Sequence, residues 1–200
     1  MIRAIVFDLG GVYFTDGFKS AISKFSRKLG IPPKKLRTEL VHGIGKEYCT
    51  GKISRKKFWQ EFMKKFDVKY DYEKLDTMWN SSYYINSELR GIVAKLRKKY
   101  IVGILSSISK HKLYYLNERY NFFKDFSYKQ FSYVSKCTKS DLNTYKILIK
   151  KLNIKPNEIL YIDDESEHLK VARKAGLKTI HFNNNLKLIR DLKKQKILLD

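Results

Sequence analysis

Apolar positions along the 200-residue chain fall into two patterns, short continuous runs and faces that recur at helical spacing. The stretch Ile5 to Val12, IVFDLGGV, is a short apolar run bounded by glycine, which predicts a parallel strand buried on both faces. Phe18, Ala21, Ile22, Phe25 and Leu29 then share one helical face, which Gly30 closes. Pro32 and Pro33 open a second helix with Leu36, Leu40, Val41, Ile44 and Tyr48 inward, and Gly43 and Gly45 are its weak points. Ser54 predicts the N-cap of a third helix, with Ile53 stapled onto Phe58 and a stripe of Phe58, Phe62 and Phe66 beside Trp59. A short helix follows from Asp71 to Trp79.

Strands and helices alternate again from Ser87, which caps a helix carrying Leu89, Ile92, Val93 and Leu96. Tyr100 to Leu105 reads as a second buried strand, followed by a helix with Leu113, Tyr114 and Leu116; Tyr128 to Ser132 reads as a third, followed by a helix with Tyr145, Ile147, Leu148 and Leu152; Ile159 to Ile162 reads as a fourth. The helix Ser166 to Lys174, stopped by Gly176, leads to a last strand from Lys178 to Phe182. The chain is therefore α/β, with a helical insertion over 15–86 between 1–14 and 87–200. The aromatics of the insertion recur at helical spacing, which predicts that they form its own core.

Composition narrows the function classes. Forty-two Lys and Arg against twenty Asp and Glu leave a net charge of +22, which favours anionic partners. The basic residues are spread along the chain without a helix-turn-helix, an RNP-like aromatic motif or a basic tail, so the charge reads as a solvated surface rather than a nucleic-acid face. No run approaches the roughly 20 apolar residues that span a bilayer, and the N-terminus enters a strand at once, so a cytoplasmic protein is expected. Cys49 and Cys137 lie far apart outside any ligand pattern.

The buried strands end in Asp8, in Ser106 and in the pair Asp163 and Asp164, and Lys139 lies on a polar loop between the last two. In a parallel sheet all carboxyl ends share one edge, so these groups can meet in one crevice. Adjacent carboxylates repel unless a cation sits among them, and three hard oxygen ligands suit Mg2+. A hydroxyl and a lysine beside that metal would hold a phosphoryl group.

On these residues the chain resembles the haloacid dehalogenase superfamily. FDLGGVYF is similar to its first motif, GILSS to its second, the spacing from Ser132 through Lys139 and Asp141 to Tyr145 to its third, and LYIDDESEHLKVARKAG to its fourth. GKISRKKFW, Gly51 to Trp59, resembles the helical cap of the branch related to the N-terminal phosphatase domain of epoxide hydrolases. The resemblance implies a Rossmann-like three-layer core with a mainly parallel sheet, and a small helical cap inserted after the first strand. It also implies a Mg2+-dependent phosphatase acting on a small phosphorylated metabolite. Asp8 would be the nucleophile that becomes an aspartyl phosphate, and Lys139 would steady it and the transferred group. Ser106, with Ser107 and Lys139, would bind the phosphoryl oxygens, and Asp8, Asp163, Asp164 and the carbonyl of Gly10 would hold Mg2+.

Four positions depart from the family pattern. Gly10 stands where the first motif usually carries a second Asp as general acid and base, Ser107 and His168 where Asn is frequent, and Ser140 where Pro is usual. Gly10 therefore keeps open a protein with the fold but weak or lost turnover, serving as a binding or regulatory module. A metal-independent dehalogenase would not need the carboxylate pair. The cap residues Tyr13, Lys46, Trp59 and Tyr83 could reach a ligand, though their spacing names none, and Asp16 is a candidate to supply the missing proton.

Overall fold

The computed structural model describes residues 1–197 and centres on five parallel strands. In chain order the elements are β1 (Ala4–Phe7), α1 (Gly17–Leu29), α2 (Pro33–His42), α3 (Ile44–Cys49), α4 (Arg55–Lys65), α5 (Tyr72–Asn80), α6 (Ser87–Leu96), β2 (Ile101–Ser106), α7 (Lys110–Tyr120), β3 (Tyr128–Phe131), α8 (Ser132–Ser135), α9 (Leu142–Leu152), β4 (Ile159–Asp163), α10 (Ser166–Lys174), β5 (Lys178–His181) and α11 (Asn185–Lys194). The strand order is β3-β2-β1-β4-β5. After β1 the chain builds one side of the sheet and then returns to build the other, which opens a crevice at the carboxyl ends beside β1.

Alternation along the strands creates the three layers. Ile5, Phe7, Val102, Ile104, Leu160 and Ile162 face a core shared with α6, α7 and α11. Ala4, Val6, Leu105, Ile159 and Tyr161 face the opposite way, onto Tyr145 and Leu148 of α9 and Leu169 and Ala172 of α10. Because both faces are covered, these strands read as continuous apolar runs.

Between β1 and α6 the chain is helical, apart from single bridges of Phe14 to Gly10 and to Ile85. Phe25, Phe58, Trp59, Phe62 and Trp79 pack ring against ring in the insertion, and all five are buried. A buried carboxylate fastens them. Asp76 accepts hydrogen bonds from Trp59 Nε1 and Asn80 Nδ2, each at 2.9 Å, and pairs with Arg55 Nε at 3.0 Å. Ser54 caps α4 by accepting from the Lys57 amide, and Asp16 caps α1 by accepting from that of Lys19.

Several expectations change in detail. β1 stops at Phe7 rather than running to Val12, because the chain turns from Leu9 to Tyr13, with Gly11 at φ +80°. The helix expected from Pro33 through Tyr48 is broken at Gly43, where Glu39 folds its carboxylate over the glycine and accepts the Ile44 amide at 3.0 Å to start α3. Val41, within α2, is exposed rather than inward as expected. Asn86, not Ser87, caps α6 by accepting from the Leu89 amide at 3.1 Å. α8 and α11 have no counterpart in the sequence reading.

Candidate active site

Register brings the acidic strand ends together. Phe7 is level with Ile162, and the Asp8 amide donates to the Ile162 carbonyl at 2.9 Å, so Asp8 and Asp163 leave neighbouring strands side by side. Asp8, Asp163 and Asp164 each offer an oxygen within 4.8 Å of the others. Lys139 enters from the loop before α9, its ammonium 2.6 Å from Asp8 Oδ2 and 2.8 Å from Asp163 Oδ2. Two hydroxyls set that loop. Ser107 Oγ accepts from the Lys139 amide at 2.9 Å, and Tyr145 donates to the Lys139 carbonyl at 3.0 Å.

The three carboxylates are not equivalent. Asp163 is fully buried and surrounded by donors: Lys139 and the Tyr161 hydroxyl on Oδ2, the Glu165 amide at 2.8 Å and His168 Nδ1 at 3.4 Å on Oδ1. Burial opposes its ionisation, but Lys139 and His168 outweigh that and hold its carboxyl well below the usual range. Asp8 keeps Oδ1 buried without a hydrogen-bond partner, and so does Asp164. Burial, reinforced by the charges of Asp163 and Asp164 and opposed by Lys139, pushes the Asp8 carboxyl up to about 7. Burial and then Asp163 push Asp164 up to about 6. Lys139 is buried as well, yet Asp163 and Asp8 raise its pKa above the ordinary lysine value.

Two orphaned carboxylate oxygens in one buried cluster call for a cation. With all three carboxylates ionised, one ammonium leaves two negative charges, which a divalent ion balances. Hard carboxylate donors suit Mg2+. The residues present therefore fit such an ion. Gly11 supports the fit, because a side chain there would run into the Asp164 carboxylate.

A cavity of about 340 Å3 opens from this cluster toward the helical insertion, at the small end of the ~300–1,000 Å3 typical of ligand pockets. Asp8, Gly10, Ser106, Ser107, Lys139 and Asp164 form its floor, so six of the seven expected site residues line one space. Asp163 does not line it and stands behind Lys139. Of the expected cavity contacts, Lys46, Tyr83 and Asp16 line it. Tyr13 and Trp59 do not. Tyr13 is buried and donates to Asp125 at 2.7 Å, and Trp59 belongs to the aromatic cluster of the insertion.

Three participants escaped sequence reasoning. Tyr161 sits two residues before Asp163 on the same strand face, a spacing that alone would have suggested contact. Arg37 of α2 pairs with Glu165 at 3.0 Å and ties the insertion to the loop before α10. Lys112 in the first turn of α7 is buried in the cavity wall.

A family model described as haloacid dehalogenase-like hydrolase matches residues 2–176. A D-ribitol-5-phosphate phosphatase of Bacteroides thetaiotaomicron is 26% identical over 194 residues, covering 92% of this chain and 93% of that one. The chain spans 66% of the length of another curated relative. The bifunctional epoxide hydrolase 2 of Mus musculus is 38% identical over only 56 residues, 28% of this chain and 10% of that one, so the likeness to that branch is confined to a short stretch. Among solved structures, a HAD family enzyme of Bacteroides thetaiotaomicron crystallised as a magnesium complex superposes with a TM-score of 0.80 at 25% identity, covering 94% of this chain and 98% of that one. Among the described residues, no helix is long and apolar enough to cross a membrane.

Proposed function

Because the chain belongs to the haloacid dehalogenase-like hydrolases, we propose that it is a Mg2+-dependent phosphatase of a small phosphorylated metabolite, working through an aspartyl phosphate on Asp8. One observation carries this reading: Asp8 has one carboxylate oxygen held by Lys139 at 2.6 Å while the other is buried without a partner at the floor of the cavity. The likeness to a phosphatase over nearly the whole chain supports it.

Asp8 and Asp164 would hold the metal, with the Gly10 carbonyl beside them, while Asp163 contributes its charge and the position of Lys139. Bound Mg2+ supplies positive charge for the phosphoryl oxygens and for the carboxylates around them. An oxygen of Asp8 attacks phosphorus, the bond to the ester oxygen breaks, and the leaving group departs as its anion and takes a proton from water. Water then cleaves the acyl phosphate and regenerates Asp8. Lys139 neutralises Asp8 and the transferred group, and the Ser106 hydroxyl donates to a phosphoryl oxygen. Ser107 acts on the phosphate through Lys139, whose amide it holds. The helices between residues 15 and 86 act as a cap that roofs the cavity, closed by the pair of Arg37 and Glu165.

Release of phosphate from p-nitrophenyl phosphate tests the reading. The expected result is turnover that requires Mg2+ and disappears in Asp8→Asn. Metal-independent turnover, or activity retained in that variant, removes the proposal. Gly10 favours a second reading, a binding module with weak turnover, and binding of inorganic phosphate without release of phosphate from the ester would return that answer.

A further inference from the structure

The far wall of the cavity carries a charge that the hydrolysis of a phosphate ester does not use. Lys112 of α7 is buried, with its ammonium 3.5 Å from the centroid of the Trp79 ring and 4.9 Å from that of Tyr83. Among the described residues its one side-chain hydrogen bond is a long one, to the Tyr83 hydroxyl at 3.4 Å. No carboxylate of the described residues pairs with it. The buried acid of this region, Asp76, is engaged by Trp59, Asn80, Arg55 and His111. Cys49 lies on the same wall, but burial raises its thiol and keeps it neutral. Burial accordingly pushes the Lys112 ammonium down to about 7. Two aromatic faces stabilise a cation, yet they leave N–H donors without strong acceptors.

Tyr83 links this wall to the reaction centre. Its ring edge lies 3.5 Å from where a Cβ of Gly10 would stand, and the absence of a side chain at Gly17 makes room for the ring. One tyrosine ring thus separates Gly10, beside Asp8, from Lys112. Asp8 and Lys112 line the same cavity, so a small molecule held by its phosphate at Asp8 shares that space with the Lys112 ammonium.

Building on the phosphatase reading, we propose that Lys112 is a specificity residue that binds a carboxylate at the end of the substrate remote from the phosphate. The substrate class is then a small phosphorylated carboxylic acid. A hydroxyl would accept one hydrogen bond but leave the buried charge uncompensated. A carboxylate does both, and a charge-assisted bond in a site shielded from water is the stronger one.

The test compares 3-phosphoglycerate with glycerol 3-phosphate, which differ by a carboxylate in place of a hydroxymethyl group, by their competition with p-nitrophenyl phosphate on the full chain in Mg2+ buffer. Wild-type protein should bind 3-phosphoglycerate at least about tenfold more tightly. Lys112→Met should bring the ratio close to one, and Lys112→Arg should keep most of it, an outcome that a purely structural role would not produce. Methionine replaces a buried cation by an apolar chain, so that variant should melt no lower than the wild type. Equal affinities in the wild type, binding of neither ester, a preference that survives Lys112→Met, or tighter binding of D-ribitol 5-phosphate than of 3-phosphoglycerate would each overturn the proposal. Mg2+-dependent cleavage of p-nitrophenyl phosphate by the same preparation reports on the phosphatase reading separately.

Discussion

Gly11 lies against the carboxylate of Asp164 so closely that a methyl group at residue 11 would occupy the space of the acid's oxygens, and its φ of +80° excludes a relaxed side chain as well. The position of Asp164 therefore depends on a residue in a different motif. If Asp8 and Asp164 share Mg2+, the ion should raise the melting temperature of the wild type by about 5–10 °C at a hundredfold excess over Kd. Gly11→Ala should lose most of that rise in addition to a direct cost of about 1–3 kcal/mol. Asp164→Ala should lose it entirely. Thermal melts with and without Mg2+ measure all three, and an equal Mg2+ response in every protein removes the metal from this site.

The pH dependence of the Mg2+ effect follows from the raised carboxyls. The ordinary value is 3.8, whereas Asp8 is pushed to about 7 and Asp164 to about 6. Between those limits the folded metal-free protein retains protons that the unfolded chain has released. The stability from these two groups is thus complete below about pH 4 and is lost as the pH rises through 6 and 7. Mg2+ competes with the same protons. Its stabilising effect should be small at pH 5 and full at pH 8, and melts across that range would contradict the assignment if the Mg2+ shift were flat.

Lys139 is the only protein cation in contact with Asp8 among the described residues, and it also contacts Asp163. Lys139→Met should leave two buried carboxylates uncompensated, at a cost of about 3–5 kcal/mol. Added Mg2+ should restore part of the stability but no turnover. Chemical denaturation reads the first effect and phosphate release the second, and a variant as stable as the wild type would show that the carboxylates are already neutral.

Gly10 has an ordinary backbone conformation, and a Cβ there would meet nothing nearer than Tyr83 Cε1 at 3.5 Å. Aspartate is therefore admissible. Loss of general acid assistance typically costs about 100-fold to 10,000-fold, and aryl and acyl phosphates escape most of it because their leaving groups are stable anions. Wild-type protein should cleave p-nitrophenyl phosphate and acetyl phosphate but alkyl phosphates poorly, and Gly10→Asp should raise kcat on alkyl esters more than on aryl ones. Equal rates on both classes, unchanged by the substitution, would point to another acid already in place, with Asp16 in the cavity wall the first to substitute.

The residue pattern by itself determined the α/β class, the helical stretch between the first two strands and the strand ends that meet at one edge. Each is local: an apolar run ending in Asp8 or Asp163 is a strand terminus wherever the strand lies, and parallel strands place such ends together. Tertiary structure decided what is not local. Gly43 breaks a helix because Glu39 folds over it, and Asp163 is set apart from Asp8 and Asp164 because Tyr161, His168 and Lys139 converge on it from separate elements. Lys112 carries no sequence signal, since a lysine in a helix among forty-two basic residues reads as surface. The approach of Trp79 and Tyr83 removes it from water and turns an ordinary basic position into a buried charge facing the cavity.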